Sequence, residues 1–591
     1  MTEYLLLINI GPVQEFIAAA RRSRDLWYGS WLLSELGKAA ARAIAEQHGI
    51  DSLIFPAPSD PSALEPTSSL IVPNKIIAHI NEDPTVAAQR VEATVRSHLQ
   101  TLAETALTQV KGSFLREEAL GQITDLLEWY WVALPISTDI AYSVLRGQLE
   151  ALATARKLTR DTRPVPYPAM KPKSSIDGLR ESVIPEEQYD LLAPDAIFAQ
   201  YGARRGERLS GVDLLKRHGA AAGEERFPST SHIAAVPLLQ SMSKSDTSKA
   251  QVAWASYRQA LRIAGVDLGR LPKRYPLHLL LGPFEGALLF EERLAEDVSN
   301  HDKLATIQRA LRTFLAEAAG GATPYPYYAL LLADGDEMGK AIDAQESAEH
   351  HRAISAALDG FAARVRKLIE EEHKGALVYA GGDDVLAFLP LHTVIPCAMR
   401  LSTELTTALK LFPKCDGTPV TLSAGVVIIH HLEPLNDALR QVREAEKIAK
   451  ALPGKNALTV RLSKRSGGDT TVCDHWSKLD THLLAFAELF LDKDRPLPDG
   501  AAFELRSLAE RLRPSHGDHD TATLLRAQRK EALRILGRKQ SGLDKQRLDL
   551  KHEQFKVLDE AVNDPELSIE QLADELVIAR ELARGLAQAR G

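Results

Sequence analysis

Cysteine is almost absent. Cys397, Cys415 and Cys473 are the only three in 591 residues, far apart and with no CxxC pair. That argues against a disulfide framework and against a cysteine zinc site. No apolar run approaches the length needed to span a bilayer. The first residues, MTEYLLLINIGPVQEF, hold a short apolar run with no basic region before it, which reads as a strand and not as a signal peptide. Together these absences predict a cytoplasmic protein. A positive net charge is also missing: 71 Lys and Arg face 79 Asp and Glu, a balance of −8. The whole molecule is therefore no polycation, and any nucleic-acid contact has to come from local basic patches or from partner subunits. What remains is ordinary globular material, 45% hydrophobic and 25% charged, long enough for three or four domains.

The apolar patterning divides the chain. Residues 1–138 read β-α-β-β-α-β, with strands at YLLLINI, SLIFPA, SSLIVP, NKIIAHI and EWYWVALPI. The helices are EFIAAARRSRDLWYGSWLLSELGKAAARAIAEQ and PTVAAQRVEATVRSHLQTLAETAL. This is the ferredoxin-like order. Residues 139–322 are less regular, with the turn-rich RPVPYPAMKPKSSIDG, the basic YGARRGERLSGVDLLKRHG and flanking helices. Residues 323–462 repeat the first order with stronger signals and an added α-β. Residues 463–591 read as helical throughout. The predicted class is α+β: two ferredoxin-like domains, a mostly helical middle domain and an all-helical C-terminal domain.

The chemistry concentrates in the second β-α-β-β-α-β unit. ALVYAGGDDVLAFLP is a hairpin with Asp383 and Asp384 at its tip, and LLLADGDEMG puts Asp334 at a strand end with Asp336 just beyond. In this topology the first strand lies beside the third, about 4.8 Å away. Asp334 and the hairpin aspartates then share one sheet edge. Carboxylates so close repel unless a cation neutralises them, and hard oxygen ligands suit Mg²⁺ or Mn²⁺ carried in with a triphosphate. Two such ions about 4 Å apart activate a hydroxyl and stabilise leaving pyrophosphate. Gly381 and Gly382 allow a tight turn and close approach to a ligand. Gly335 and Gly339 leave backbone N–H groups for phosphate oxygens. In ALPGKNAL, Lys455 and Asn456 follow Lys450, and a lysine there neutralises phosphate charge. GGDD alone reads equally as a plain hairpin turn, and DGDEMG alone as a surface turn. In the correct strand order, together with the helix–GKN–strand element, they point to a metal–nucleotide site.

DGDEMG, YAGGDDVLAF, TLSAGVVI and PGKNAL resemble the palm domain shared by nucleotidyl cyclases and polymerases. GGDD, in place of GGDEF or GGEEF, resembles the large palm-domain subunit of type III CRISPR effector complexes. NIGPVQEFIAAARRSRDLWYGSWLLSEL, KPKSSIDGLRESVIP and SGVDLLKRHG are similar to the Cmr (type III-B) branch. The resemblance implies ATP as substrate, two Mg²⁺ or Mn²⁺ ions, metal ligands Asp334, Asp383 and Asp384, and 3′–5′ cyclic oligoadenylates made when target RNA pairs with crRNA. It implies partner Cmr subunits, among them a small helical one and one holding the crRNA 5′ end. The first palm domain would help bind a second ATP.

Two departures stand out. The sequence opens on the first palm strand, so no HD nuclease activity is expected, and SHGDHD (His516 to Asp520) reads as a loop and no substitute. KPKSSIDG has serines where relatives often carry zinc cysteines, so packing has to hold that region. Other readings keep the palm site but make a different AMP-containing messenger, such as an S-adenosylmethionine–AMP conjugate, or leave a catalytically silent scaffold. A free-standing diguanylate cyclase fits least. Arg21, Arg22, Arg24 and Trp27 on the first helix suit an RNA or subunit contact, or a solvated face. The basic stretch from Arg526 offers crRNA or subunit contact, or a solvated face. ARRGERL (203–209) reads as a loop near subunit contacts, and His430 and His431 receive no ligand role.

Overall fold

The computed structural model describes residues 2–66, 68–137, 139–159, 171–219, 227–242, 248–266, 268, 284–298, 300–513, 521–542 and 546–591. SHGDHD and the RPVPYPAM segment lie outside the described residues.

The first sheet holds β1 (Tyr4–Gly11), β2 (Leu53–Phe55), β3 (Lys75–Ile80) and β4 (Glu128–Pro135) in the order β2-β3-β1-β4. The pairs are antiparallel. β1 is buried along both faces, which is why YLLLINI shows no polar alternation. Leu6, Ile8 and Ile10 join the main core with the helices Ser23–His48 and Pro84–Thr108. Leu5 and Leu7 face a smaller core closed by Leu145, Leu149 and Ala153 of the helix Tyr142–Leu158.

The second sheet holds β5 (Tyr327–Gly335), β6 (Ala376–Gly381), β7 (Asp384–Leu389), β8 (Leu422–His430), β9 (Ala457–Ser463) and β10 (Thr470–His475). Its order is β10-β9-β8-β5-β7-β6. The β8-β5-β7-β6 portion repeats the strand order of the first sheet. The helix Leu435–Ala451 then crosses back to β9, the one strand parallel to its neighbour β8. β5 divides its side chains between two cores. Tyr328, Leu330 and Leu332 pack toward the first sheet and its Ser23–His48 helix. Ala329, Leu331 and Ala333 pack toward the helices behind. The long helix is thus sandwiched between the sheets, and its nearly all-round burial follows from that position.

Three expectations need correction. SSLIVP forms no strand. It lies along the Ser23–His48 helix, where the Val72 N–H donates to Ser34 Oγ at 2.9 Å and Lys38 Nζ donates to the Ser68 carbonyl at 2.8 Å. Side-chain partners replace a ladder there. The first helix is broken into Gln14–Ala18 and Ser23–His48. The C-terminal part is not all helical. After Ser466-Gly467-Gly468, the β-branched Thr470-Thr471-Val472 run pairs with β9 as β10, and Gln540–Ser541 pairs with Gln546–Arg547. Pairing with an existing sheet edge decides the outcome for so short a segment. The remaining C-terminal runs are helices, ending in Ile569–Arg590, which packs on the helices Leu479–Leu491 and Thr230–Met242.

KPKSSIDG is held by a polar knot. Ser174 Oγ donates to the buried Asp213 carboxylate at 2.7 Å, and the same oxygen accepts from the Ser210 N–H and hydroxyl. Arg22 and Arg24 point inward, not to solvent. Arg22 donates to the Gly202 carbonyl and Arg24 to the carbonyls of Arg217 and Gly219, while Trp27 stacks on Phe227. Arg21 donates to the Ser175 carbonyl. A solvated face therefore does not describe Arg22, Arg24 and Trp27, whereas Arg21 keeps an exposed side chain. In ARRGERL, Arg208 grips Glu186 with two hydrogen bonds and Glu207 pairs with buried Arg217, so its charges are largely spent inside the chain.

Candidate functional site

β6 and β7 meet at Gly381 and Asp384, which pair across a two-residue turn of Gly382 and Asp383. Gly382 has φ +67°, a left-handed conformation that glycine adopts without strain. Ala333 of β5 pairs with Val385 of β7, so Asp334 and Asp384 are the next positions along the same register. Asp383 folds back over the end of β5: a Cβ on Gly335 would stand 2.8 Å from Asp383 Oδ2 and 2.8 Å from Met338 Cγ. Gly335 is therefore required for close packing of Asp383.

Burial, together with the neighbouring charge of Asp384, pushes the Asp383 carboxyl up to about 7. Burial raises Asp384 to about 6. Burial and the Asp384 charge also raise Glu446. Lys450 answers this negative charge: its ammonium pairs with Asp334 and lies 3.2 Å from Glu446.

Asp334, Asp384, Gly381 and Tyr379 line a cavity of about 650 Å³. Arg443, Glu446, Lys447 and Lys450 of the Leu435–Ala451 helix form a second side. The opposite wall comes from the first 74 residues, including Gln14, Ser30, Ser34 and the Ile71–Asn74 stretch. The cavity is thus built by both sheets, and its size suits a nucleotide.

Asp336 does not open onto this cavity as expected. It is 1% exposed. Its Oδ2 accepts from Thr421 Oγ1 at 2.8 Å, Ser423 Oγ at 3.1 Å and the Asn456 N–H at 3.0 Å. It anchors the turn between the 435–451 helix and β9. Its Oδ1 is buried with no hydrogen-bond partner among the described residues. Gly454, Lys455 and Asn456 in that turn all have positive φ, at 84°, 51° and 49°. Lys455 points to Glu337 at 3.7 Å, joining Lys340 at 2.7 Å and Lys414 at 3.2 Å. Three lysines around one carboxylate leave a surplus of positive charge beside the strand end.

Of the sequence-predicted residues, Asp334, Asp384, Gly381 and Lys450 line the cavity, Asp383 and Gly335 adjoin it, and Asp336 and Asn456 serve the supporting turn. Among the described residues no group of three or more His, Cys, Asp or Glu side chains is arranged to hold a metal ion. Lys450 stands where the expected convergence on Asp334 would need a cation. The donor set nevertheless suits one: the two buried hairpin carboxyls, raised above the ordinary carboxylate range, favour added positive charge. Sequence reasoning missed Arg443, Lys447, Lys340 and Lys414. The first two were readable from the R-x-x-E-K-x-x-K spacing, which sets one helix face; Lys414 sits on a loop and gave no signal.

A two-sheet protein with a carboxylate-tipped hairpin beside a nucleotide-sized cavity belongs to the palm class. Residues 327–459 match the family model "Cas10/Cmr2, second palm domain", and residues 5–104 match "CRISPR-associated protein Cmr2, N-terminal". Over these two segments the chain matches the Cas10/Cmr2 family of type III-B CRISPR systems. It is 26% identical to the CRISPR system Cmr subunit Cmr2 of Pyrococcus furiosus, over 78% of this chain. It spans 62% of that relative's length. Its fold resembles the type III-B Cmr-beta structure in the apo state (TM-score 0.65, 14% identity, 99% of this chain and 82% of that one). It also resembles the Cmr-beta structure bound to cognate target RNA (TM-score 0.63, 14% identity, 98% and 83%). No helix among the described residues is long and apolar enough to cross a membrane.

Proposed function

We propose that this chain is the nucleotidyltransferase of an RNA-guided type III-B complex, making cyclic oligoadenylates from ATP through 3′–5′ linkages when target RNA pairs with crRNA. The observation that carries the reading is the shared cavity: Asp334 and Asp384 line one wall and residues among the first 74 the other, so a nucleotide can be held between the carboxylates and the first sheet's side of the molecule. The finer architecture fits the same reading, with palm domains at 1–138 and 323–462, a mostly helical segment at 139–322, and a C-terminal domain at 463–591 whose first strand, β10, completes the second sheet.

Asp334, Asp383 and Asp384 would hold Mg²⁺ or Mn²⁺. When bound, the metal supplies charge neutralisation at the carboxylates and at the phosphate undergoing displacement. The chain's own contribution is positioning. Lys340, Lys414 and Lys455 can exchange Glu337 for phosphate oxygens, since exposed ion pairs are weak. Lys450 has to release Asp334 as the metal enters. Gly381 leaves the hairpin backbone open to the ligand, and the Ile71–Asn74 wall excludes water from one side.

The test is to mix the purified complex with matching target RNA, ATP and Mg²⁺ or Mn²⁺, with and without S-adenosylmethionine, and to identify products by mass spectrometry. Cyclic adenylates that vanish in Asp383→Asn, Asp384→Asn are expected. An AMP–methionine conjugate would move the proposal to another acceptor, and no product under any condition would refute a catalytic role.

A further inference from the structure

The helix Thr521–Gly537 carries an exposed row at four-residue spacing: Arg526, Lys530 and Arg534, continued by Arg538 just past its end. Elsewhere this chain places acids beside its helical cations. Arg96 has Glu92, Arg146 has Glu150, and Arg440 has Asp437 and Glu444. Here the spacing that normally holds an opposite charge holds another cation, which opposes helix formation. Between Thr521 and Arg538 there are five basic residues and a single acid, Glu531. Glu531 pairs with Arg534 at the surface, where such a pair contributes little. Lys530 has no acidic partner among the described residues, and Arg538 shares only the charge of that same Glu531. The sequence thus keeps a self-repelling stripe on a protein whose net charge is −8.

We propose that this face binds the phosphate backbone of a single nucleic-acid strand. Four residues of helix advance about 6 Å and turn the row only slightly. That step is comparable to the separation of neighbouring phosphates along a strand, so successive cations can meet successive phosphates. The face offers exposed Ala522, Thr523 and Ala527 between the charges and no aromatic platform, which suits backbone contact without base readout. An acidic helix from a partner protein is the competing occupant. It would bury apolar surface alongside its charges, and this face offers only the half-buried Leu533 among small side chains.

The test uses the full chain and a fluorescein-labelled single-stranded RNA of mixed sequence, with affinity measured by anisotropy across a range of KCl. For single strands each phosphate contact contributes about 0.7 to the slope of log affinity against log salt. Changing Arg526, Lys530, Arg534 and Arg538 to Gln lowers that slope by about 2 to 3. A matched variant with Lys303, Arg309 and Arg312 changed to Gln leaves it in place, and so does Asp383→Asn, Asp384→Asn, which separates this surface from the nucleotide site. Should the fourfold variant lose its fold by circular dichroism, Lys530→Gln, Arg534→Gln alone lowers the slope by about half as much. An unchanged slope in a folded variant overturns the proposal. So does a variant that loses binding to polyglutamate while keeping its RNA slope, which assigns the face to an acidic protein partner.

Discussion

Replacing Asp336 with Ala separates two roles for that carboxylate, because a nucleotide ligand and a buried anchor respond in opposite directions. As a ligand, the carboxylate adds repulsion beside Asp383, and its removal would leave the apo protein as stable as before or more so. As an anchor, it accepts three hydrogen bonds at 2.8 to 3.1 Å in a site 1% exposed to solvent. The Thr421 and Ser423 hydroxyls can rotate toward other acceptors. The Asn456 N–H cannot, because its direction is set by a left-handed turn. One buried donor left unpaired costs about 1–3 kcal/mol, and loss of hydrogen bonds to a charged acceptor adds a comparable amount. The local cost is therefore about 2–6 kcal/mol.

A chain of this size does not unfold as one unit, so a global melting curve would blur the effect. Hydrogen exchange of peptides spanning 452–460 reads it directly. At 1.4 kcal/mol per factor of ten, exchange at Asn456 and the start of β9 should quicken by roughly 30-fold or more, with β1 and β3 unaffected. Unchanged exchange over 452–460 together with lost nucleotide binding would refute the anchor and restore Asp336 as a ligand.

Gly335→Ala should reduce nucleotide turnover at least tenfold while leaving the circular dichroism spectrum intact, because its Cβ displaces Asp383; wild-type turnover would show that the close packing is dispensable. Lys450→Met removes the cation paired with Asp334, so the rise in melting temperature on adding Mg²⁺ should exceed that of the wild type, and an equal rise would refute the stand-in role. Burial alone would raise Glu207, but its hydrogen bond to Arg217 and the Arg217 charge bring it from 4.5 down to about 2. A depressed folded value stabilises above the unfolded one, so this contribution, about 3 kcal/mol, is present above pH 4.5 and lost as pH falls toward 2. Proteolytic sensitivity of the 171–219 segment should rise through that window in the wild type, and Glu207→Gln should show it already at neutral pH; the same onset in both would count against the ion pair.

The succession of strands and helices was largely readable, apart from SSLIVP and β10, because apolar runs of strand length alternate with amphipathic helices and because Gly-Gly-Asp-Asp closes a tight hairpin. That placed Asp334 and the hairpin aspartates at one sheet edge before any coordinates. The errors lie where a distant partner decides. SSLIVP has the composition of a strand, yet Ser34 and Lys38, 38 and 30 residues before their partners, take up its backbone groups. Thr470 to His475 is a strand only because β9 offers an edge. Arg22 and Arg24 look like a solvated basic face until the carbonyls of residues 202–219 are seen to receive them. Asp336 has the same difficulty: its donors come from 85 to 120 residues downstream, and no local pattern reports them.

The carboxylates themselves point to a deeper reason why the site is more legible than its support. A core optimised for stability would not place Asp383, Asp384 and Glu446 where burial raises all three, nor leave an Asp336 oxygen unpartnered. Their proximity costs folding free energy, and Lys450 offsets only the part carried by Asp334 and Glu446. Such an arrangement persists where a bound cation completes the charge balance. On the proposed function, the residues that conflict with local stability are the functional ones, and those conflicts, two adjacent aspartates after two glycines and an Asp at a strand end, are visible in a linear sequence. The residues that resolve the conflict, Lys450, Thr421, Ser423 and the Asn456 backbone, obey ordinary local rules and become visible only when the fold brings them together.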